Sequence, residues 1–181
     1  MSGWRANLYG SAAVLAVIAA IWYGLPAVEA ALPDNQVLPS GTRVTVGNSV
    51  SLVPPRGSLL DSAETSPSAG RLVVEVHGSR YRITASPYAG TLREATARLR
   101  ERIAALPGYQ ITGQSYWVAT DDGVVGMEGR FGSARRDGYF AVFVSDGLIA
   151  EVVAQGIGLT LNGTLDDVRR SVATIRFEGS G

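Results

Sequence analysis

The first thirty residues contain the longest apolar stretch of the chain. No charged side chain occurs between Ala6 and Val28, and about 20 apolar residues in a helix match the roughly 30 Å hydrocarbon core of a bilayer. Aromatic residues stand near both ends, as in the two interfacial belts of a membrane span. The pattern therefore predicts a transmembrane helix within residues 1–30. The residues predicted to anchor it are Tyr9, Leu15, Ile18, Ile21, Trp22 and Tyr23.

The charges beside this apolar run indicate its orientation. Arg5 precedes the run and Glu29 follows it, so the positive-inside tendency places the N-terminus in the cytoplasm. A cleaved signal peptide is the alternative, because Val28-Glu29-Ala30 has the small-x-small pattern of a cleavage site. The run exceeds the 7–15 apolar residues usual for a signal peptide, which favours a retained anchor. Both alternatives locate the rest of the chain outside the cytoplasm, and the anchor predicts a single-pass plasma-membrane protein.

The pattern then changes to a polar connection followed by one domain. In residues 31–41 the composition shifts to Pro, Asp, Asn and Ser, which predicts a linker. Residues 42–181 are numerous enough for a single domain with a hydrophobic core. Short strands are predicted at 42–46 and 49–53. A stretch rich in Ser, Pro and Ala, residues 61–70, is predicted to be a mobile loop.

Alternating apolar residues predict a β-hairpin over residues 71–85. A two-residue turn at Gly78-Ser79 joins its strands in this interpretation. That register pairs Val76 with Tyr81 on an apolar face, and it places His77 on the opposite, solvent-facing side. One face of this hairpin is expected to be buried and the other wet.

Two helices are predicted from apolar residues at helical spacing. The first begins after Thr91, because Glu94 completes a T-x-x-E capping box, and Pro107-Gly108 ends it. The second is expected to begin at Asn162-Gly163-Thr164, with Asp167 in the capping position. The apolar stripes of the two helices are Leu92, Ala95, Leu99, Ile103 and Leu106, and Leu165, Val168, Val172 and Ile175.

Between these helices, four further strands are predicted at 109–120, 124–131, 138–145 and 148–155. Asp146-Gly147 suits a type I′ turn between the last two, and this register pairs Val144 with Ile149 and Phe140 with Val153. Both faces of that hairpin are largely apolar, so each needs a cover. One helix on each side gives an α+β fold, an antiparallel sheet in an α/β/α sandwich. The alternative leaves one face open as a groove for a lipid or a partner.

Composition and motifs exclude several kinds of chemistry. The 16 basic residues are balanced by 16 acidic ones, so there is no electrostatic footprint for nucleic acid. Cysteine is absent, which excludes disulfides and a lipidated cysteine. His77 is the only histidine, and turn chemistry accounts for Asp121-Asp122-Gly123 better than a calcium site does. The sequence carries no hydrolase, zinc-protease or P-loop motif. We therefore predict a protein without catalytic residues, cofactor or metal.

The order of elements resembles the PsbP-like fold, which occurs in photosystem II accessory proteins and in small actinobacterial envelope lipoproteins of the LpqN type. The resemblance covers about residues 44–177: paired strands, a capped helix, a meander with Asp-Gly turns, and a terminal helix ending in Ala173-Thr-Ile-Arg-Phe177. The chain departs from the lipoproteins in lacking a lipidation cysteine, so a membrane span would replace the acyl anchor. The resemblance implies a non-enzymatic accessory role beside a membrane complex.

Two functions remain open at this point. The first is an accessory subunit or adaptor of an integral membrane complex in the cell envelope. Small residues in the apolar run would let its helix pack closely against other spans. The second is an extracytoplasmic carrier for an apolar small molecule or lipid. The candidate partner contacts are Arg135, Arg136, Tyr139 and Phe143, and the residues expected to line a carrier cavity are Tyr109, Trp117, Phe131 and Phe143. In the adaptor hypothesis, Trp117 is a core residue.

Overall fold

The computed structural model describes residues 35–47 and 49–178. Residues Asn35–Gly181 form a compact unit of their own. The predicted membrane span and its six anchor residues lie outside the described part of the chain. Within that part, no helix has both the length and the apolar character required to cross a bilayer.

The described residues form eleven strands and two α-helices. The strands are β1 (Asn35–Val37), β2 (Val44–Val46), β3 (Val50–Leu52), β4 (Leu59–Asp61), β5 (Arg71–Val76), β6 (Ser79–Pro87), β7 (Gln110–Ala119), β8 (Val125–Gly132), β9 (Asp137–Ser145), β10 (Leu148–Gly156) and β11 (Arg176–Phe177). The helices are α1 (Leu92–Ala104) and α2 (Leu159–Ala173), and a short 3-10 helix covers Pro67–Ala69.

Eight of the strands form one antiparallel sheet in the order β1-β4-β5-β6-β10-β9-β8-β7. The other three form a small sheet in the order β11-β3-β2. Strands β6 and β10 pair over eight residues at the middle of the large sheet, which joins the two predicted hairpins. Strands β1 and β7 are therefore the two edges of the large sheet, and the expectation of an antiparallel sheet with two helices is confirmed.

Both faces of the central β9–β10 hairpin are covered. The register pairs Val144 with Ile149 and Phe140 with Val153, as the Asp146-Gly147 turn predicted. The face carrying Tyr139 and Phe143 packs against α2 and the small sheet, and the opposite face packs against α1. The two hydrophobic cores thus account for an apolar pattern on both sides of these strands.

The β5–β6 hairpin differs from its predicted register by two residues. His77 and Gly78 have φ angles of 46° and 74° and form the turn, so that Val74, not Val76, pairs with Tyr81. Positive φ is uncommon for residues other than Gly, although Asn, Asp and His adopt it more often than the rest. His77-Gly78 also lacks the Asn-Gly or Asp-Gly signal of such turns, and the sequence therefore favoured the wrong two-residue turn. A shift of two residues keeps every side chain on its predicted face, and His77 is exposed.

The two helices differ in how well their starts are signalled. Thr91 and Glu94 form the complete capping box of α1, as predicted. Helix α2 begins at Leu159, after Gly158, three residues before the predicted start at Asn162. Gly158 has no side chain that could signal a cap, whereas Asn162 and Thr164 are polar residues inside the helix. The apolar stripe of α2 is buried as expected.

Two segments predicted to lack structure are ordered. Strand β1 lies inside the predicted linker and pairs with β4. The predicted mobile loop at residues 61–70 contains the end of β4 and the 3-10 helix. The Thr65 hydroxyl donates to the Val73 carbonyl and accepts from the Val73 amide, both at 3.0 Å. These bonds hold the segment against β5, although its composition suggested a mobile loop.

Three glycines of β8 and β9 lie beneath phenylalanine rings of the neighbouring strand. Gly129 pairs with Phe140 and Gly126 with Phe143, and a Cβ built on Gly129 would lie 2.5 Å from Cζ of Phe140. Gly138, in the strand predicted at 138–145, is in β9 beneath the ring of Phe131. These positions leave no room for a side chain, because real Cβ contacts are longer than 3 Å.

Candidate functional site

An exposed pair of aromatic side chains marks the β7 edge of the large sheet. Tyr116 is 64% exposed, Trp117 is 69% exposed, and Val125 of the neighbouring strand is 52% exposed. Consecutive strand residues point to opposite faces, so the two rings lie on either side of the edge strand. We call Tyr116, Trp117 and Val125 the aromatic edge. Val125 pairs with Ala119 and so shares the face of Trp117, whereas Tyr116 lies on the other face. Large exposed apolar side chains at the edge of a sheet are candidates for contact with another protein.

The exposure of Trp117 contradicts its interpretation as a core residue. The core beneath α1 includes Tyr109 and Ile111 at the start of β7 but not Trp117. The pairing with β8 shifts register between Thr112 and Tyr116, where three residues of β7 lie opposite one residue of β8. This shift separates the second half of β7 from the first. The second half of β7 contains Tyr116, Trp117 and Val118, which are apolar on both faces of the strand. The sequence therefore did not reveal that this segment lies at an edge of the sheet.

The candidate partner contacts divide into two exposed and two buried residues. Arg135 and Arg136 are exposed in the β8–β9 connection, where the Ser133 hydroxyl accepts a hydrogen bond from the Arg136 amide at 3.2 Å. Tyr139 is only 1% exposed and Phe143 is fully buried. As partner contacts these two residues were wrong, because α2 and the small sheet cover the face on which they lie.

Tyr139 belongs instead to a half-buried polar cluster. Its hydroxyl donates to Glu128 at 2.7 Å, and the other oxygen of Glu128 pairs with Arg169 at 2.8 Å. Burial and the neighbouring carboxylate raise the pKa of Tyr139 far above its ordinary value. Tyr139 therefore remains a neutral donor at physiological pH and connects β8, β9 and α2.

A groove runs along α1 on the side of β10 and β6. It has two parts, with volumes of about 540 Å³ and 330 Å³. The ion pair between Arg102 of α1 and Glu151 of β10 lies where they meet, since both residues line both parts. The larger part contains Tyr88, with the Arg98 guanidinium 5.6 Å from its ring centroid. The smaller part combines apolar and arginine side chains.

The four residues expected to line a carrier cavity do not come together. Tyr109 and Phe131 are in contact, with ring centroids 5.8 Å apart, in the core beneath α1. Phe143 belongs to the core on the other face of the sheet, and Trp117 is exposed. The proposed cavity was wrong in this form, because the four side chains lie on different sides of the sheet. Only Phe131 lines the groove.

The remaining polar candidates have structural partners or are exposed. Asp122 is in an ion pair with Arg176 at 2.9 Å, and Gly123 has the positive φ of 81° that the turn requires. Over residues 35–47 and 49–178, no cluster of three or more acidic or histidine side chains is arranged to hold a metal ion. The Asp121-Asp122 turn thus connects β7 to β8 and, through Arg176, the large sheet to the small one.

Comparison with known proteins identifies the fold. No family model and no curated protein sequence matches the chain. Among solved structures, cyanobacterial PsbP (CyanoP) from Synechocystis sp. PCC 6803 is similar with a TM-score of 0.55 and 12% identity. This match covers 75% of this chain and 91% of that one. The Saccharomyces cerevisiae Ran-binding protein Mog1p is similar with a TM-score of 0.51 and 11% identity, covering 76% of this chain and 96% of that one.

A third solved structure is LpqN of Mycobacterium tuberculosis, which is involved in cell envelope biogenesis. It aligns with a TM-score of 0.44 and 11% identity over 80% of this chain and 90% of its own. The identities are low, so these similarities concern architecture alone. The fold of this protein is PsbP-like, as the order of its elements predicted.

Proposed function

We propose that this protein is a membrane-anchored accessory subunit or adaptor of a protein complex in the cell envelope. In this proposal residues 1–30 form a single membrane span and the PsbP-like domain lies outside the cytoplasm. The PsbP-like fold supports the more general part of this proposal, which is an accessory or envelope-associated domain. The observation that carries the adaptor role is the aromatic edge. Two hydrophobic cores cover both faces of the central strands, whereas the side chains of the aromatic edge are exposed and available to a partner.

The chemistry of the aromatic edge suits a protein partner. Tyr and Trp are enriched in protein interfaces and supply many of the residues that dominate binding energy. Arg130 and the Arg135-Arg136 pair are exposed near the other end of β8. Gly132, at that end, is five positions along β8 from Met127, the strand partner of Trp117, or about 17 Å of strand. The arginines and the aromatic edge therefore fit within one interface of ordinary size, about 800 Å² per partner.

The neighbours in structure are consistent with such a role. Mog1p is described as a Ran-binding protein, so a similar fold can present a protein-binding surface. The predicted anchor would hold the domain near an integral membrane complex and raise its local concentration there. We expect the span and the aromatic edge to contribute together to the affinity for that complex.

Affinity purification from solubilised membranes tests the proposal. The full chain is compared with a chain lacking residues 1–30 and with a full chain carrying Trp117→Ser. Val37→Ser is the matched control, because Val37 is also 62% exposed but lies on the opposite edge strand β1. We expect the full chain and the Val37 variant to recover the same stable complex, and the other two variants to lose at least 80% of it.

Two results would contradict the proposal. Recovery of an unchanged complex with Trp117→Ser would show that the aromatic edge is not the contact surface. Recovery of the full chain from the soluble cytosolic fraction, or failure of protease added to whole cells to reach the domain, would refute the anchored, extracytoplasmic arrangement.

A further inference from the structure

We propose that the smaller part of the groove beside α1 is a binding site for a long-chain carboxylate. The carboxylate would lie between Arg71 and Arg82, and the acyl chain would cover the apolar floor. This inference does not depend on the aromatic edge or on the adaptor role, because it concerns the opposite flank of α1 and a different class of ligand.

The floor of this part of the groove is apolar. It is formed by side chains of α1, β8 and β10, and its volume of about 330 Å³ lies at the lower end of the range for small-molecule sites. Leu106 lines it and is 49% exposed, which leaves a large apolar group in contact with water. An acyl chain would cover that surface. The apolar lining residues are Leu99, Ile103, Leu106, Phe131 and Val153.

The rim of the same part carries two arginines that have no partner among the residues described by the structure. Arg71 of β5 pairs in register with Thr84, and Arg82 of β6 pairs with Val73, so the two arginines are diagonal neighbours on one face. Such neighbours are about 7–8 Å apart. Within the part of the chain that the structure describes, neither guanidinium has a hydrogen bond or an ion pair with another residue. Two adjacent unpaired guanidinium groups are complementary to a carboxylate, which can accept bonds from both.

A third arginine on this face shows the contrast. Arg80, two residues before Arg82, is paired with Asp61 at 2.8 Å and with Glu64 at 2.6 Å. Among residues 35–47 and 49–178, the fold thus supplies two carboxylates to Arg80 but none to Arg71 or Arg82. The positive charges of Arg71 and Arg82 lie at the groove, where an anionic ligand would neutralise them.

The Arg102–Glu151 ion pair fixes the direction in which the ligand would lie. Glu151 is only 14% exposed and pairs in register with Thr84, the strand partner of Arg71. Its carboxylate repels a ligand carboxylate and forms one wall of the smaller part. The ligand headgroup therefore belongs on the outer side of the groove, towards β5, and the acyl chain belongs on the inner side beneath α1.

Photolabelling of the full chain in phosphatidylcholine nanodiscs tests this site. The probe is a diazirine-bearing dodecanoate, and labelled peptides are identified by mass spectrometry. We expect labels in the peptides containing Leu99–Leu106 and Ile149–Gln155. Labelling should fall at least fivefold in the double variant Arg71→Gln/Arg82→Gln. In the matched control Arg56→Gln/Arg93→Gln, which changes two exposed arginines elsewhere, labelling should stay within twofold of the native chain.

A second variant and two further probes complete the test. Thr84→Glu keeps both arginines and gives them an internal carboxylate, so it should also lower labelling at least fivefold. The diazirine-bearing alcohol of the same length should label the groove at least fivefold less than the carboxylate. Equal labelling by acid and alcohol, or equal labelling of both double variants, would overturn the proposal. Equal labelling by a diazirine-bearing carboxylate with a chain of only four carbons would indicate an anion site without an acyl subsite and would also overturn it.

Discussion

Replacement of Gly129 by Ala should stabilise the protein according to one physical argument and destabilise it according to another. In a β-strand, glycine costs about 0.5–1 kcal/mol relative to alanine because it loses more conformational freedom on folding. Considered as a strand residue alone, Gly129→Ala should therefore stabilise the protein. The structure predicts destabilisation, because the added Cβ would lie 2.5 Å from Cζ and 2.7 Å from Cε1 of Phe140.

The size of the effect follows from how little space surrounds that ring. Phe140 is fully buried beneath α1, so the ring moves only by displacing its neighbours. Overpacking of this kind costs about 1–3 kcal/mol. Because the ring cannot move freely, the upper half of this range applies, about 2–3 kcal/mol. Subtracting the conformational gain of about 0.5–1 kcal/mol leaves a net loss of about 1–2.5 kcal/mol in the free energy of unfolding, or a fall in Tm of about 2–10 °C for a domain of this size.

Thermal unfolding of the full chain, followed by circular dichroism, measures this change. Gly163→Ala is the matched control, since a Cβ at this position of α2 would meet nothing within 4 Å. Alanine is favoured over glycine in a helix by about 0.8–1.0 kcal/mol, and the control should raise Tm by about 2–4 °C. The same substitution is thus expected to have opposite effects at the two sites.

A second replacement identifies the cause. Phe140→Leu removes the ring that the new Cβ would meet, so adding Gly129→Ala to Phe140→Leu should cost less than about 0.5 kcal/mol. The reasoning would be refuted by a Tm of Gly129→Ala equal to or above that of the native chain. It would also be refuted by full additivity of the two changes, because residues in steric conflict are coupled.

Three further predictions concern polar groups. Tyr81→Phe should cost about 1 kcal/mol in urea unfolding, because the buried hydroxyl loses its 3.2 Å bond to a serine of α2; no change would contradict that bond. Glu128→Ala should cost about 1–3 kcal/mol, since it leaves the buried Tyr139 hydroxyl without an acceptor, and Glu128→Gln should restore part of the loss. Hydrogen bonds from Thr91 lower the pKa of Glu94, so its stabilising contribution is present above the unfolded pKa of about 4.3 and is lost as pH falls through the lowered folded value. Glu94→Gln should therefore unfold at lower urea concentration than the native chain at pH 6 and equally at pH 2; a difference independent of pH would contradict this assignment.

Elements with both a periodic pattern and a turn or cap signal could be predicted from the sequence. The β9–β10 register follows from Asp146-Gly147 because both turn positions adopt positive φ. Helix α1 follows from its capping box. Strands β1 and β4 could not be found in this way, since each has three residues, too few to establish an alternation, and they are distant in the chain. Strands β2 and β3 are equally short but are neighbours in the chain. The stability of β1 and β4 comes from pairing with each other and with β5.

The candidate sites depend on contacts between distant parts of the chain, and these were not predictable. Alternation indicates which residues share a face, and it placed Arg82 correctly on the wet side of β6. It does not indicate that Arg71, Arg82 and Arg102 line one groove, because that depends on where α1 crosses the sheet. Trp117 illustrates the same limit. Its residue type favours a core position, and only the order of the described strands shows that β7 is at an edge of the sheet.

The strand order also determines how the domain would bear a mechanical load. The chain enters the large sheet at β1 and carries the aromatic edge on β7, and seven inter-strand intervals separate them, about 33 Å at the usual spacing of 4.7–4.9 Å. Tension between a partner held at β7 and the start of β1 would act across the strands, in the direction of their hydrogen bonds. The inter-strand hydrogen bonds would then break one after another, and β1, which has three residues, would detach first. Under such tension the domain would lengthen from its N-terminal border while the partner-binding border stayed folded.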